Sequence, residues 1–349
     1  MPYYNKNKPG AAAYAARPAQ RPAARPALRS TKNNRNTAAV SGASGASGAV
    51  VFQKGGAKYI LSRQSIGRGG EGKIYALEND RSCCCKLYKK KLNPAQAERL
   101  ADTIEMFRLI RSENPELKKY ICPPEEIVYD YEKPIGYLMR YVQGKPLSFY
   151  TSFEANLLDV YCQDDQLFLC EQTALVVGML HQAGIVVGDL DPSNILVRPD
   201  GSIAFVDLNG AGFRHGSKSY EATALHSAMI SPEQIAARCS PLKRYDDLWS
   251  LENIIFRLML PSFEPYNYKC CKEDEEEDKI EGNYFFFDER RVVSPEAAAL
   301  YEALPIRLKL YFMHCFHHDG DYFRPEKRPD AFSVMRMIRQ CRKTLNKKG

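Results

Sequence analysis

The sequence has 349 residues, 44% of them apolar and 26% charged, an ordinary balance for a soluble chain with a sizeable core. Its net charge of +7 sits at one end: residues 1–58 hold ten Lys or Arg and no Asp or Glu, leaving 39 basic against 42 acidic side chains elsewhere. No run approaches the roughly 18–20 apolar residues of a membrane span, and no apolar stretch near the N-terminus reads as a secretory signal.

Eleven Cys are present without a C-x-x-C pair. Neighbouring Cys in a strand point to opposite faces, so Cys83-Cys84-Cys85 makes a poor chelate. Reduced, structural thiols in a cytoplasmic protein are the expectation.

Residues 1–50 are low-complexity. Arg17, Arg21, Arg25 and Arg29 recur every four residues, three of them before Pro, and Ser-Gly-Ala repeats run from Ser41 to Gly48. Such a segment buries too little apolar surface to offset its ordering entropy, so a disordered basic tail is expected, followed by one domain over 51–349. The tail reads plainly as solvated chain, and more sharply as an arm for an acidic partner. A nucleic-acid role for the whole chain is not favoured, because the excess of positive charge belongs to the tail alone.

Short strands are predicted at Tyr59–Leu61, Lys73–Ala76 and Cys83–Tyr88. Asn93-Pro94, an N-cap followed by a first-turn Pro, then opens a helix to about Ser112. Two more strands follow at Ile127–Tyr131 and Gly136–Tyr141. After Gly144 the pattern turns helical, with Leu167–Ala183 at helical spacing. Ile195–Val197 and Ile203–Val206 flank the turn signal Asp200-Gly201. Helices dominate from Pro232, interrupted by the acidic run Glu273 to Asp278. The order implies an α+β fold with two lobes: 51–143, a small antiparallel sheet with one helix, and 144–349, mainly helical.

Three segments carry the chemistry. Gly67, Gly69 and Gly72, with Gly70 between them, form G-x-G-x-x-G ahead of Ile74, where backbone N–H groups can approach phosphate oxygens. A strand follows rather than a helix, which argues against a dinucleotide fold. Lys86 lies in an otherwise apolar strand and needs an anionic partner. Asp189 precedes Asn194 by five positions, and Asp207 follows an apolar strand.

In this order the motifs resemble the eukaryotic-type protein kinase family, whose catalytic loop reads H-R-D-L-x-x-x-N and whose metal loop reads D-F-G. Ser231-Pro232-Glu233, Asp247-Leu248-Trp249-Ser250 and Arg328 continue the resemblance, which covers about residues 58–345. It implies a kinase-like fold and transfer of the γ-phosphate of ATP, with Mg²⁺, to a protein hydroxyl. Asp189 would orient the acceptor hydroxyl, Asn194 and Asp207 would hold Mg²⁺, and Lys86 would grip the α- and β-phosphates. Met139 would be the gatekeeper, with Arg140 and Val142 backbone groups at the adenine edge and Ile66, Ile74, Cys84 and Leu196 around the ring. The small-lobe helix would give Lys86 a carboxylate. Glu98, Asp102 and Glu105 share one face, with Glu98 or Glu105 preferred for reach. By the same resemblance Asp247 would cap the catalytic loop, and Arg328 would pair with Glu233.

The departures resemble divergent bacterial serine/threonine kinases. Val187 and Gly188 stand for His and Arg, Asp191 for a Lys that touches the γ-phosphate, and Leu208 and Asn209 for the Phe and Gly of D-F-G. Asn209 is expected to tolerate a left-handed turn. The favoured reading is a serine/threonine protein kinase. The alternatives are a nucleotide-binding scaffold without turnover and a small-molecule phosphotransferase of the same fold.

Overall fold

A computed structural model describes residues 50–53, 56, 58–152, 163–223, 229–237, 241–266, 272–287 and 293–345. The basic segment at 1–50 lies outside them except for Val50.

The first region is an antiparallel sheet in the order β1-β2-β3-β4-β7-β6, formed by Val50–Gln53, Lys58–Arg68, Gly72–Leu77, Cys83–Tyr88, Lys133–Arg140 and Glu126–Asp130 respectively. β1 pairs with both β2 and β6, which closes the sheet into a barrel. Sequence reading missed β1, because four residues between Gly-rich runs are too few to show alternation. It also saw only the start of β2, where register shifts between Leu61, Ser65 and Gly67 break the two-residue period.

The Cys triplet shows how the sheet divides its faces. Cys85, Leu138, Val128, Leu61, Leu77 and Val51 pack together on the inner face. Cys84, Tyr137 and Met139 pack outside with Leu100 and Ile104 of α1 (Pro94–Glu113). Lys86 shares the Cys84 face and lies opposite Ile74 on β3 and Tyr137 on β7. The helix begins as its sequence dictates. Asn93 accepts from the Gln96 N–H at 2.8 Å, Gln96 accepts from the Asn93 N–H at 3.0 Å, and Pro94 occupies the first turn.

After α2 (Leu117–Tyr120), a second sheet has the order β5-β10-β9-β8: Ile121–Cys122, Ile203–Val206, Ile195–Val197 and Lys145–Pro146. β9 and β10 form an antiparallel hairpin turned by Asp200, whose carboxylate accepts the Ser202 N–H at 2.9 Å, and by Gly201 at φ +81°. Asn194 immediately precedes β9 and Asp207 immediately follows β10, so both sit at the open end of this hairpin. β11 (Phe213–His215) and β12 (Lys218–Tyr220) make a further hairpin that the sequence did not announce.

The rest is helical, beginning with the short α3 (Leu147–Tyr150). α4 (Gln163–Gln182) packs on α10 (Ala331–Leu345), and a Cβ at Gly178 would meet the Phe332 ring at 2.9 Å. α6 (Arg244–Met259) follows the short α5 (Pro232–Ala237) and runs through the core, carrying Trp249 and Phe256 against Phe316, with Phe256 also on Phe312. α8 (Pro295–Ala303) and α9 (Ile306–Phe316) complete the surround. The acidic run proves to be part of α7 (Lys272–Glu281) rather than a loop, and its Asp278 is buried and accepts from Asn283 at 3.0 Å. A sheet region with one long helix, then a helical region, is the α+β two-lobed arrangement the sequence implied.

Candidate active site

Lys86 is 3% exposed, so its charge needs compensation. Its ammonium donates to Asp207 Oδ1, to Asn209 Oδ1 at 3.2 Å and to Glu71 Oε2 at 3.5 Å. Tyr137, its cross-strand neighbour, donates its hydroxyl to Asn209 Oδ1 at 2.9 Å and to Asp207 Oδ1 at 3.2 Å. Burial and the Asp207 carboxylate hold the Tyr137 hydroxyl well above its ordinary pKa, which keeps it a donor. Burial also pushes the Cys84 thiol up to about 12, so this face carries a neutral thiol.

None of the three helix carboxylates expected beside Lys86 bonds to it. Glu98 and Asp102 take Lys218 at 2.7 and 2.9 Å, Asp102 also accepts the Tyr220 hydroxyl at 2.5 Å, and Glu105 lies 3.6 Å from His215. The reason is topological. The β11–β12 hairpin lies along the acidic face of α1 and brings Lys218 and the His215 imidazole to it. Arg99 of α1 meanwhile donates to the carbonyls of Gly210, Ala211 and Glu221 at 3.1, 3.0 and 2.8 Å. The helix therefore offers an arginine, not a glutamate, to the segment after Asp207.

On the other side, Asn194 Nδ2 donates to Asp189 Oδ2 at 2.9 Å and to its carbonyl at 3.2 Å. The loop hangs from Asp247 at the start of α6. Asp247 accepts the N–H groups of Val187 and Gly188 at 2.7 and 2.8 Å and lies 2.8 Å from His181 Nε2. A buried carboxylate with several donors is satisfied, and it fixes the backbone that aims Asp189. Gly188 has φ +76°, and a Cβ there would meet the Ala222 Cβ at 2.7 Å. Both facts demand glycine, which explains why the family's Arg is missing. Asp191 is buried, and its Oδ1 accepts the Ser193 N–H at 2.8 Å and its hydroxyl at 2.5 Å, capping the turn Pro192–Asn194. Its carboxylate thus has a structural use in the loop.

Asp207, not Asn209, adopts the left-handed conformation (φ +59°, ψ +43°). Such strain in a non-glycine residue persists where surrounding contacts over-determine it, as the bonds from Lys86 and Tyr137 do here. Asn209 instead turns its side chain into the site: besides accepting from Lys86 and Tyr137, it donates Nδ2 to Glu71 Oε2 at 3.0 Å. Sequence reading took Asn209 as a departure and passed over Glu71 and Tyr137. The signal for Tyr137 lay in the register, two residues before Met139 on the strand facing Lys86.

The glycine-rich turn is shaped by its residues. A Cβ at Gly72 would meet the Leu87 carbonyl at 2.4 Å, while at Gly69 and Gly70 it would meet nothing within 4 Å. The turn closes with Gly69 N–H to the Gly72 carbonyl at 3.0 Å, and Lys89 Nζ holds the Gly69 and Gly70 carbonyls at 2.8 and 3.0 Å. Gly67 packs on Ile74. Cys84 faces Met139 across β4 and β7. Ile66 is half-exposed, and Leu196 and Val142 are partly buried. The Tyr141 N–H bonds the Ser82 carbonyl at 2.8 Å, so by strand alternation the N–H and carbonyl of Arg140 point away from β4. The Arg140 side chain anchors on the Lys118 and Ile121 carbonyls at 3.2 and 3.1 Å.

Below the catalytic loop, Arg328 is fully enclosed, donates to both carboxylate oxygens of Glu233, and lies 4.9 Å above the Trp249 ring. Ser231 donates to Asp246 at 2.8 Å.

The family of protein kinase domains matches residues 60–304, well over half the chain. The chain is 24% identical over 252 residues to serine/threonine-protein kinase PknD of Chlamydia muridarum, covering 64% of this chain and 27% of that one. It is 24% identical over 226 residues to G protein-coupled receptor kinase 2 of Caenorhabditis elegans (62% and 30%). It is 23% identical over 202 residues to a probable serine/threonine-protein kinase PknB of Lactococcus lactis (56% and 30%). The chain therefore spans about a third or less of the length of these relatives. It belongs to the protein kinase domain family, and its fold is that of a phosphotransferase. No described helix is long and apolar enough to cross a membrane.

Proposed function

We propose that this protein transfers the γ-phosphate of ATP to serine or threonine hydroxyls of proteins, with Mg²⁺ as the metal. The observation that carries the proposal is the pairing of two constellations: Lys86 on Asp207 from the sheet region, and Asn194 on Asp189 from the helical region. Together they supply a phosphate-gripping cation, a general base and oxygen donors, and phosphoryl transfer needs little beyond positioning and charge neutralisation.

The donor set fits a hard divalent cation. Asn194 turns its amide nitrogen to Asp189, leaving Oδ1 for a cation, and Asp207 Oδ2 takes no hydrogen bond among the described residues. Mg²⁺ held by Asn194 and Asp207 would neutralise charge building on the phosphates. Lys86 binds and orients the α- and β-phosphates. Asp189 orients the acceptor hydroxyl and takes its proton at the carboxylate. Met139, Ile66, Ile74, Cys84 and Leu196 enclose the adenine, with Arg140 and Val142 backbone groups at its edge. Gly67, Gly69, Gly70 and Gly72 let the loop approach the phosphates.

A protein acceptor is favoured because the Glu233–Arg328 pair and the Asp247 cap build the platform beside the loop. Serine/threonine specificity follows the names of two relatives, the Chlamydia and Lactococcus kinases. A cytoplasmic location suits the free thiols of the described cysteines. The basic tail is proposed to meet an acidic partner.

Incubation with Mg-ATP beside Asp189→Asn, with phosphosites mapped by mass spectrometry, tests the reading. Phosphoserine or phosphothreonine in the parent alone is expected. Equal labelling, or phosphate found only on free metabolites, overturns it.

A further inference from the structure

Resting on the site reading above, we propose that Glu71 of the glycine-rich loop, held by Asn209, is the carboxylate that positions Lys86, in place of any residue of the long helix. Three independent observations point there. Glu71 is the only carboxylate besides the metal-site Asp207 within ion-pair distance of Lys86 among the described residues, with Oε2 at 3.5 Å. The same oxygen takes the Asn209 amide at 3.0 Å, and Asn209 itself accepts from Lys86 and Tyr137. The helix carboxylates are engaged elsewhere: Glu98 and Asp102 by Lys218, Glu105 by His215.

The loop is built to hold Glu71 in this place. The Glu71 carbonyl accepts the Lys89 N–H at 2.8 Å, and the Lys89 ammonium ties down the two preceding glycine carbonyls. A residue pinned at its backbone and bonded through its side chain has lost its freedom before a nucleotide arrives. Two departures from the family pattern then explain each other. An Asn where a Gly is usual after the metal-site Asp gives Glu71 a donor. A Glu inside the glycine-rich loop gives Lys86 the anion that the helix gives elsewhere.

The consequence is mechanistic. Asp207 is wanted by the metal, so Lys86 needs a second anion to keep its ammonium aimed at the phosphates. With that anion on the phosphate-covering loop, the setting of Lys86 is coupled to loop position and not to a swing of the helix. Glu71 and Asn209 are positioning residues, acting through Lys86.

The test uses the full chain with Glu71→Gln, Glu71→Asp, Glu98→Gln and Glu105→Gln, beside Lys86→Met as reference. Four quantities are measured: the Kd for Mg-ADP by titration, KM and kcat for ATP at saturating acceptor, and the acceptor KM at saturating ATP. Glu71 is 59% exposed at its side chain, so E71Q is expected to fold. Loss of a charge-assisted contact predicts a Kd and a KM for ATP raised about tenfold in E71Q, with the acceptor KM unchanged. Partial recovery is expected in E71D, and far smaller shifts in E98Q and E105Q. A general structural defect would lower kcat alone. Parent-like binding by E71Q, or a loss in E98Q or E105Q that matches K86M, overturns the proposal. So does faster turnover in E71Q, which would make Glu71 a competitor of the phosphates. If K86M itself binds Mg-ADP and turns over like the parent, the site reading fails first, and the inference falls with it.

Discussion

On the helical side of the site, the loop bearing Asp189 hangs by its backbone from Asp247, a residue 1% exposed at the head of a core helix. On the sheet side, Lys86 is set by the side chains of Asn209 and Glu71, and the Glu71 side chain is 59% exposed. Asp189, the proposed general base, is thus carried on a buried frame of backbone hydrogen bonds. Lys86, the proposed phosphate-gripping cation, is carried on a network that includes a surface loop. The difference teaches where adjustment is allowed: under the proposed function, the acceptor side would be fixed when the protein folds, while the nucleotide side would depend on an exposed loop.

The largest expected effect lies on the rigid side. Asp247→Ala leaves the N–H groups of Val187 and Gly188 unpaired in the core, which costs about 3–5 kcal/mol. Urea unfolding should show that loss together with collapse of activity. A stability change below about 1 kcal/mol would mean that the loop does not depend on its cap.

Next comes a pH effect deeper in the same region. Glu252 is buried beside Arg328 and Cys315, and burial pushes its carboxyl up to about 8 despite the Arg328 guanidinium and the Cys315 thiol. A carboxyl whose folded pKa lies above its unfolded value favours the folded state most when it is protonated in both states. Stability should therefore fall as pH rises from about 4.5 towards 8, at up to about 1.4 kcal/mol per unit, and level off beyond. Glu252→Gln should flatten the dependence of Tm on pH across that window. An unchanged slope would assign it to another group.

The smallest effect is expected at the hairpin beside the sheet region. Lys218 joins Glu98 and Asp102 at the surface, where solvent screening leaves ion pairs little weight in global stability. Lys218→Met should raise hydrogen exchange across residues 213–220 while leaving urea stability nearly unchanged. Unaltered protection would show that Tyr220 and Arg99 alone hold the hairpin.

Much of this was legible in the sequence, and the exceptions have physical reasons. The motifs singled out Lys86, Asp189, Asn194 and Asp207, and the structure pairs Lys86 with Asp207 and Asn194 with Asp189, because a loop and a strand end impose fixed intervals on the residues that share them. β9 and β10 were placed to the residue by a strong turn signal. The helix start at Asn93-Pro94 was equally plain, since capping is local chemistry. What escaped was non-local. Nothing in the helix sequence tells that a hairpin more than a hundred positions later brings Lys218 to Glu98 and Asp102. Nor does a lone Glu among glycines reveal that a later Asn will meet it. Asn209 was expected to serve by its backbone tolerance, yet Asp207 takes the left-handed conformation and Asn209 contributes its side chain.

The proposed function divides labour between Asp189 and Asp207, and titrating Mg-ADP into Asp189→Asn and Asp207→Asn, with and without Mg²⁺, tests that division. The predicted result is that D189N keeps parent-like, magnesium-dependent binding but transfers no phosphate, whereas D207N loses the magnesium dependence together with turnover. If D207N keeps its magnesium dependence, or D189N still turns over, the assignment of the metal donor and the base is contradicted.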